Sequence, residues 1–186
     1  DTATAGTGKT LSITAYTVND NNSGNNYTVT TQTSANGTIN KAASTITQTG
    51  TSFTYNAGGQ TPTLSFSGST GVRTTNYVGT GYNSVNAPTN FGTYYVSNTV
   101  AADSNYNGLT NTTSFSIAKA ALTLTAGSNV KTYDGNTSAT NVPAATGLQG
   151  SDTVSGTTVV YDTATAGTGK TLSITAYTVN DNNSGN

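Results

Sequence analysis

The chain has no His, no Cys and no Glu, so any chemistry rests on seven Asp, five Lys, one Arg and a large set of hydroxyl and amide side chains. The usual general bases, thiol nucleophiles and soft-metal ligands are therefore missing. Each Asp stands alone in sequence, which leaves no carboxylate pair for acid–base hydrolysis. The expectation is a protein with no catalytic residues and no cofactor.

Four patterns nonetheless have a spacing that chemistry could use. Asp103-Ser-Asn105-Tyr-Asn107-Gly108 matches the first half of a calcium loop, with Asp103, Asn105 and Asn107 as candidate ligands. Hard Ca²⁺ takes six to eight oxygens, and Ser114 occupies the place of the bidentate Glu, so a turn held by Asx side chains is the plainer reading. The stretch NDNNSGN (19–25) is a poorer calcium candidate. Ala3 to Thr10, repeated as Ala164 to Thr171, fits a permissive phosphate-loop pattern ending Gly-Lys-Thr. A phosphate cradle needs a helix N-terminus after the lysine, whereas LSITAYTV reads as a strand.

The Asp-Thr-apolar triplets at Asp1, Asp152 and Asp162 resemble the O-glycosylation sequon of one group of Gram-negative bacteria, which makes Thr153 and Thr163 candidate sugar acceptors. Thr-x-Thr runs such as TITQTGT lack the regular spacing of a solenoid ladder and read as the wet faces of strands. The eleven Tyr read mainly as core and rim residues. No acidic partner marks any Lys for an isopeptide bond.

The elements that must position these residues come from a repeat. Residues 1–25, DTATAGTGKTLSITAYTVNDNNSGN, return letter for letter as residues 162–186, a period of 161. Recent duplication within a long array is the simplest origin, and both true termini are expected to lie elsewhere. Thr (43), Asn (23), Gly (21) and Ser (19) make up more than half of the chain, and only 7% of residues are charged. Such a balance gives no field for nucleic acid or an anionic membrane, and no apolar run approaches the ~20 residues of a membrane-spanning helix. Abundant Thr, Val, Ile and Tyr with low net charge argue for an ordered chain.

Period-two alternation recurs throughout, at Leu11, Ile13 and Ala15, at Leu64 and Phe66, and at Leu122 and Leu124; no window carries a helical stripe. The fold class is therefore all-β, with strands of about 5 to 8 residues. Turns are expected at 21–26, 35–37, 56–59, 66–71, 104–108 and 133–136, and Tyr27 and Val29 read as part of a strand. A weaker signal, I-x-K-A at Ile39 and again at Ile117, 78 residues later, divides the period into two β-domains of alternating type. In this phase residues 1–41 end one domain, 42–119 form a complete one, and 120–186 begin the next copy of the first type.

The segments 121–140 and 147–179, around KTYDGNT with Tyr133, Asp134 and Gly135, resemble the YDG repeat of bacterial surface adhesins. Residues 42–119, with DSNYNG and the closing SFSIAKA, are similar to the MBG modules that occur beside it. The resemblance implies tandem immunoglobulin-like or Greek-key β-sandwiches, end to end, in a very large secreted adhesin at the bacterial cell surface, of the kind gliding bacteria carry as surface filaments. It implies no catalytic residues. The expected role is a stiff stalk or filament segment whose partners are neighbouring repeats, with glycans or abiotic surfaces bound by domains outside this stretch. The alternative is a repeat that itself binds carbohydrate or a surface through multivalency.

Overall fold

The computed structural model describes residues 2–183. Asp1, which opens the first Asp-Thr-Ala triplet, and residues 184–186, which end the second NDNNSGN, lie outside the described residues. The described chain is all-β and contains no helix. In chain order its strands are β1 (Gly6–Leu11), β2 (Ser34–Ile39), β3 (Thr45–Thr49), β4 (Ser52–Thr54), β5 (Thr63–Ser67), β6 (Arg73–Gly79) and β7 (Tyr82–Ser84). Then follow β8 (Gly92–Val100), β9 (Leu109–Ala118), β10 (Thr123–Thr125), β11 (Ser138–Ala139), β12 (Ala144–Thr146), β13 (Thr153–Tyr161) and β14 (Leu172–Asn180).

They form several small sheets: a five-stranded one in the order β4-β9-β8-β6-β7, a three-stranded one in the order β11-β13-β14, and the pairs β1-β2, β3-β5 and β10-β12. By contact density the chain divides into two units, 1–48 with 64–75 and 97–111, and 49–63 with 76–96 and 112–186.

The second unit has an aromatic core. Along β8 the alternation buries Tyr94 and Val96 and leaves Tyr95 exposed, while β9 buries Phe115 and Ile117. Phe115 sits at the centre, edge-on to Phe53 at 5.9 Å and to Tyr77 at 6.3 Å, and tilted against Tyr94 at 5.7 Å. Aromatic pairs favour these offset and edge-to-face geometries, and the phenols need partners once desolvated. They have them: Tyr77 donates to Thr61 Oγ1 (2.9 Å) and Tyr94 to the Asn90 carbonyl (3.0 Å). Gly79 makes room for this packing, since a Cβ there would lie 2.5 Å from Cδ1 of Tyr94.

The first unit combines a small apolar centre, Ile46 and Val100, with a satisfied polar chain. Buried Asn98 accepts from Thr75 Oγ1 (2.6 Å) and donates to Gln48 Oε1 (3.2 Å). Gln48 donates to the Asn111 carbonyl (3.2 Å), and Asn111 donates to the Ile46 carbonyl (2.8 Å). Buried polar groups are tolerable only when every one finds a partner, and this relay supplies them in sequence.

The duplicated 25 residues adopt two different structures. In the first copy GTGKTL is strand β1 and residues 12–18 carry no strand. In the second copy the same GTGKT is a loop, and LSITAYTVN is β14, paired with β13 from Thr153↔Asn180 to Tyr161↔Leu172. Among the described residues no strand pairs with residues 12–18, and Leu11, Ile13 and Tyr16 are 57–59% exposed. Intrinsic propensity is the same in both copies; the neighbouring strand decides.

Two expectations fail for related reasons. The stretch 35–37 is not a turn but the middle of β2, where Gly37 faces β1 so closely that a Cβ would meet the Lys9 carbonyl at 2.8 Å. Tyr27 and Val29 are not in a strand; they are exposed in a segment that forms no ladder of its own. Strands also run from two to ten residues, a wider spread than expected.

Candidate functional site

Asp103 is the hub of the loop that resembles a calcium site. Its Oδ1 accepts from the backbone N–H groups of Asn105 (2.9 Å) and Tyr106 (2.8 Å), and its Oδ2 accepts from the backbone N–H (2.9 Å) and hydroxyl (3.3 Å) of Thr70. The Thr70 and Asn105 N–H groups outweigh partial burial and hold the carboxyl down at about 2. Asn105 Oδ1 accepts from the Ala5 N–H (2.9 Å), and Asn107 uses its amide nitrogen to donate to the Lys41 carbonyl (3.4 Å). Lys41 Nζ in turn donates to the Asp103 carbonyl (2.6 Å). The three candidate ligands are thus engaged with the protein itself, in an Asx turn that clasps Thr70, Ala5 and Lys41.

Asp20 makes a second clasp, accepting from the N–H groups of Gly24 (2.7 Å), Asn22 (2.9 Å) and Asn26 (3.2 Å), with the Gly24 bond foremost in lowering its pKa. Asp181 begins the same arrangement in the second copy, accepting from Asn183 N–H at 2.9 Å. The first NDNNSGN segment is a turn, and the described part of the second opens on the same Asx contact.

The Gly-Lys-Thr segments build no anion cradle, because a strand contains or follows them and their lysines fold back. Lys9 Nζ donates to the hydroxyls of Thr2 (3.0 Å) and Thr4 (3.2 Å); Lys170 Nζ donates to those of Thr163 and Thr165. The knot is the same in both copies although the backbone differs. It also engages one of the two glycosylation candidates. Thr163 and Thr153 are both exposed, with the Thr153 hydroxyl accepting from Asn180 Nδ2 at 3.3 Å.

The KTYDGNT loop closes on itself. Lys131 Nζ pairs with Asp134 Oδ1 (2.8 Å) and donates to the carbonyl (2.7 Å) and Oδ1 (2.9 Å) of Asn136, while Gly135 supplies the left-handed φ of 77° that the turn requires. The Lys131 bond, aided by the Asn136 N–H, lowers the Asp134 pKa. Tyr133, 67% exposed, stands beside a cleft of about 690 Å³ that Tyr161, Asn129 and the Lys170 loop also line.

A second cleft, of about 450 Å³, is lined by Leu122, by Leu124 of β10, by Leu148, and by Ile174, Tyr177 and Val179 of β14, with Tyr55 and Asp152 among its other lining residues. Simple alternation does not put Ile174 and Tyr177 on one face. Opposed bulges do: β13 carries an extra residue near Gly156 (φ 59°), and β14 carries Thr175 unpaired between Ile174 and Ala176. The parity of β14 therefore flips at Thr175, and Leu172, Ile174, Tyr177 and Val179 share a face. The apolar order L-x-I-x-x-Y-x-V carried that signal; reading Leu11, Ile13 and Ala15 as one face missed it. Tyr55 was not singled out from the sequence either. Its phenol donates to Asp152 Oδ2 at 2.9 Å, and burial, then this bond, raises its pKa.

Among the described residues no group of three or more carboxylates gathers to hold a metal. The polar clusters found are turn clasps and the clefts are walled by strand faces. Residues 118–186 match the family model for the YDG domain, so this part of the chain is of the YDG type. No curated protein and no solved structure gives a match to the chain.

Proposed function

We propose that the chain is a structural segment of a tandem array, the stalk or filament of a secreted bacterial cell-surface adhesin, in which alternating immunoglobulin-like or Greek-key β-modules set distance and stiffness. A tip elsewhere in the protein binds the target. The observation that carries this reading is the letter-for-letter return of 25 residues at a period of 161. It is supported by the YDG-type match at 118–186 and by polar side chains spent on clasping turns. In the proposed phase, modules 42–119 and 120 onward join without a flexible linker, and neighbouring repeats are the main partners.

Solution scattering on one-period and two-period chains tests the reading. Stacked sandwiches with strands rising ~3.3 Å per residue should lengthen the particle by about 60–80 Å per period. Compact side-by-side packing would sink it. A second reading, a multivalent glycan- or surface-binding repeat, draws on exposed Tyr133 beside its cleft, since an exposed ring is a stacking platform for a sugar. A glycan-array signal from one period would favour it; silence favours the spacer.

A further inference from the structure

The run that opens the 42–119 stretch and the run that closes it lie parallel. In the first compact unit Ala42 bridges Tyr106 in parallel, with the Ala42 N–H donating to the Asn105 carbonyl (2.8 Å) and the Asn107 N–H donating to the Ala42 carbonyl (2.8 Å). In the second unit β4 pairs with β9 in parallel, Ser52↔Ser116, Phe53↔Ile117 and Thr54↔Ala118. Two flanking bonds extend this pairing, from the Ser116 N–H to the Thr51 carbonyl (2.9 Å) and from the Tyr55 N–H to the Ala118 carbonyl (2.8 Å). The offset between partners is the same in both units, so the two runs keep one register. In the first unit, where β3 turns away to pair with β5, side chains stand in for the ladder. Ser44 Oγ donates to the Asn107 carbonyl (2.6 Å), Gln48 Nε2 to the Asn111 carbonyl (3.2 Å) and Asn111 Nδ2 to the Ile46 carbonyl (2.8 Å).

We propose that these parallel pairings are a shear clamp, which makes 42–119 a load-bearing element that resists tension along the chain. The N-terminal end of one parallel strand and the C-terminal end of its partner point in opposite directions. Tension entering at residue 41 and leaving at residue 119 therefore slides the two runs past each other and loads their hydrogen bonds together. An antiparallel pair in the same place would open one bond at a time. Residues 56–104 hang between the runs and carry no load until the runs part. The bonds of the second unit are also kept from water, which would otherwise replace them: Phe115 and Ile117 of β9 are 2% exposed, and Phe53 of β4 packs edge-on to Phe115. The use of the clamp rests on the array reading, which sets where load enters and leaves; the register does not.

The native chain has no cysteine, so pairs of introduced thiols at exposed positions decide where the full chain is held in single-molecule pulling. Asn40→Cys with Lys119→Cys loads the two runs in shear. Asn40→Cys with Ser104→Cys loads their N-terminal ends and unzips them, and Asn56→Cys with Lys119→Cys unzips them from the other end. Forced rupture follows the unfolding rate rather than equilibrium stability, and in shear two flanking backbone bonds part together in each pairing. The shear pair should therefore hold to roughly twofold higher force than either unzipping pair at the same pulling speed. Matching denaturation midpoints identify the chains that share the parent fold, and either unzipping pair is sufficient for the comparison. Equal forces in shear and in unzipping overturn the clamp and leave the array standing. Compact scattering from two periods would remove the array, while the dependence of force on direction would still hold.

Discussion

The phenol of Tyr55 reaches across 97 residues of sequence to donate a 2.9 Å hydrogen bond to Asp152 Oδ2. This bond ties the segment after β4 to the turn that leads into β13, beside the cleft that Leu122, Leu124 and Ile174 line. Both residues belong to one compact unit, so the bond joins the stretches 49–63 and 112–186 within it.

Tyr55→Phe keeps the ring and removes the bond. A net loss of about 0.5–1.5 kcal/mol is expected, at the low end because the pair is partly solvated. Denaturant titration of Tyr55→Phe, Asp152→Ala and the double variant measures the coupling. An additive double variant would show that the bond contributes nothing.

Phe115 contacts three other rings and is 2% exposed. Truncation to Ala leaves a cavity too constrained to collapse, at a cost of about 3–5 kcal/mol, comparable to the stability of a small module. Near-UV dichroism of Phe115→Ala should lose its tyrosine signal well below the normal melting temperature. An unchanged melt would place the core elsewhere.

Gly79→Ala tests the same core from the opposite direction. The new methyl would press on Tyr94, and overpacking of this kind costs about 1–3 kcal/mol. A variant as stable as the parent would mean that Tyr94 has freedom to move.

Acid should loosen the Asp103 clasp in a defined window. The native carboxyl titrates at about 2 against an ordinary value of 3.8, so its contribution is complete above about pH 4 and is lost as pH falls through 2. Asp103→Asn should flatten that part of the pH–stability curve and lower the melting temperature at neutral pH. If calcium at millimolar concentration raised the melting temperature of the parent but not of Asp103→Asn, the loop would be an ion site rather than a clasp.

The all-β class was legible because alternation and turn residues recur along the whole chain, and the turns at Gly24, Gly58, Gly68 and Gly135 lie where the glycines and asparagines put them. What could not be read was anything set by a partner strand. Identical residues give β14 in one place and an unpaired run in the other, so no property of LSITAYTVN alone could have told them apart. Gly37 in ANG looked like a turn glycine; its role is to let β1 come close. The flip of parity at Thr175 depends on bulges that only the pairing with β13 reveals. Asp103 was visible as a loop hub, but Thr70, which supplies two of its bonds, is 33 residues away.

In the proposed array the next stretch of the period pairs with β14, the outer strand of its sheet among the described residues. The chain should be compared with one extended past Asn186 by NYTVTTQTSANGTINK, the sequence of residues 26–41, using native-state hydrogen exchange at concentrations where both are monomeric. The amides of β14 that face away from β13 should slow by roughly tenfold or more in the extended chain, while the core amides of β8 and β9 stay as they were. Equal exchange along β14 in the two chains would contradict it, and the division of the period at Ile39 and Ile117 would have to be given up.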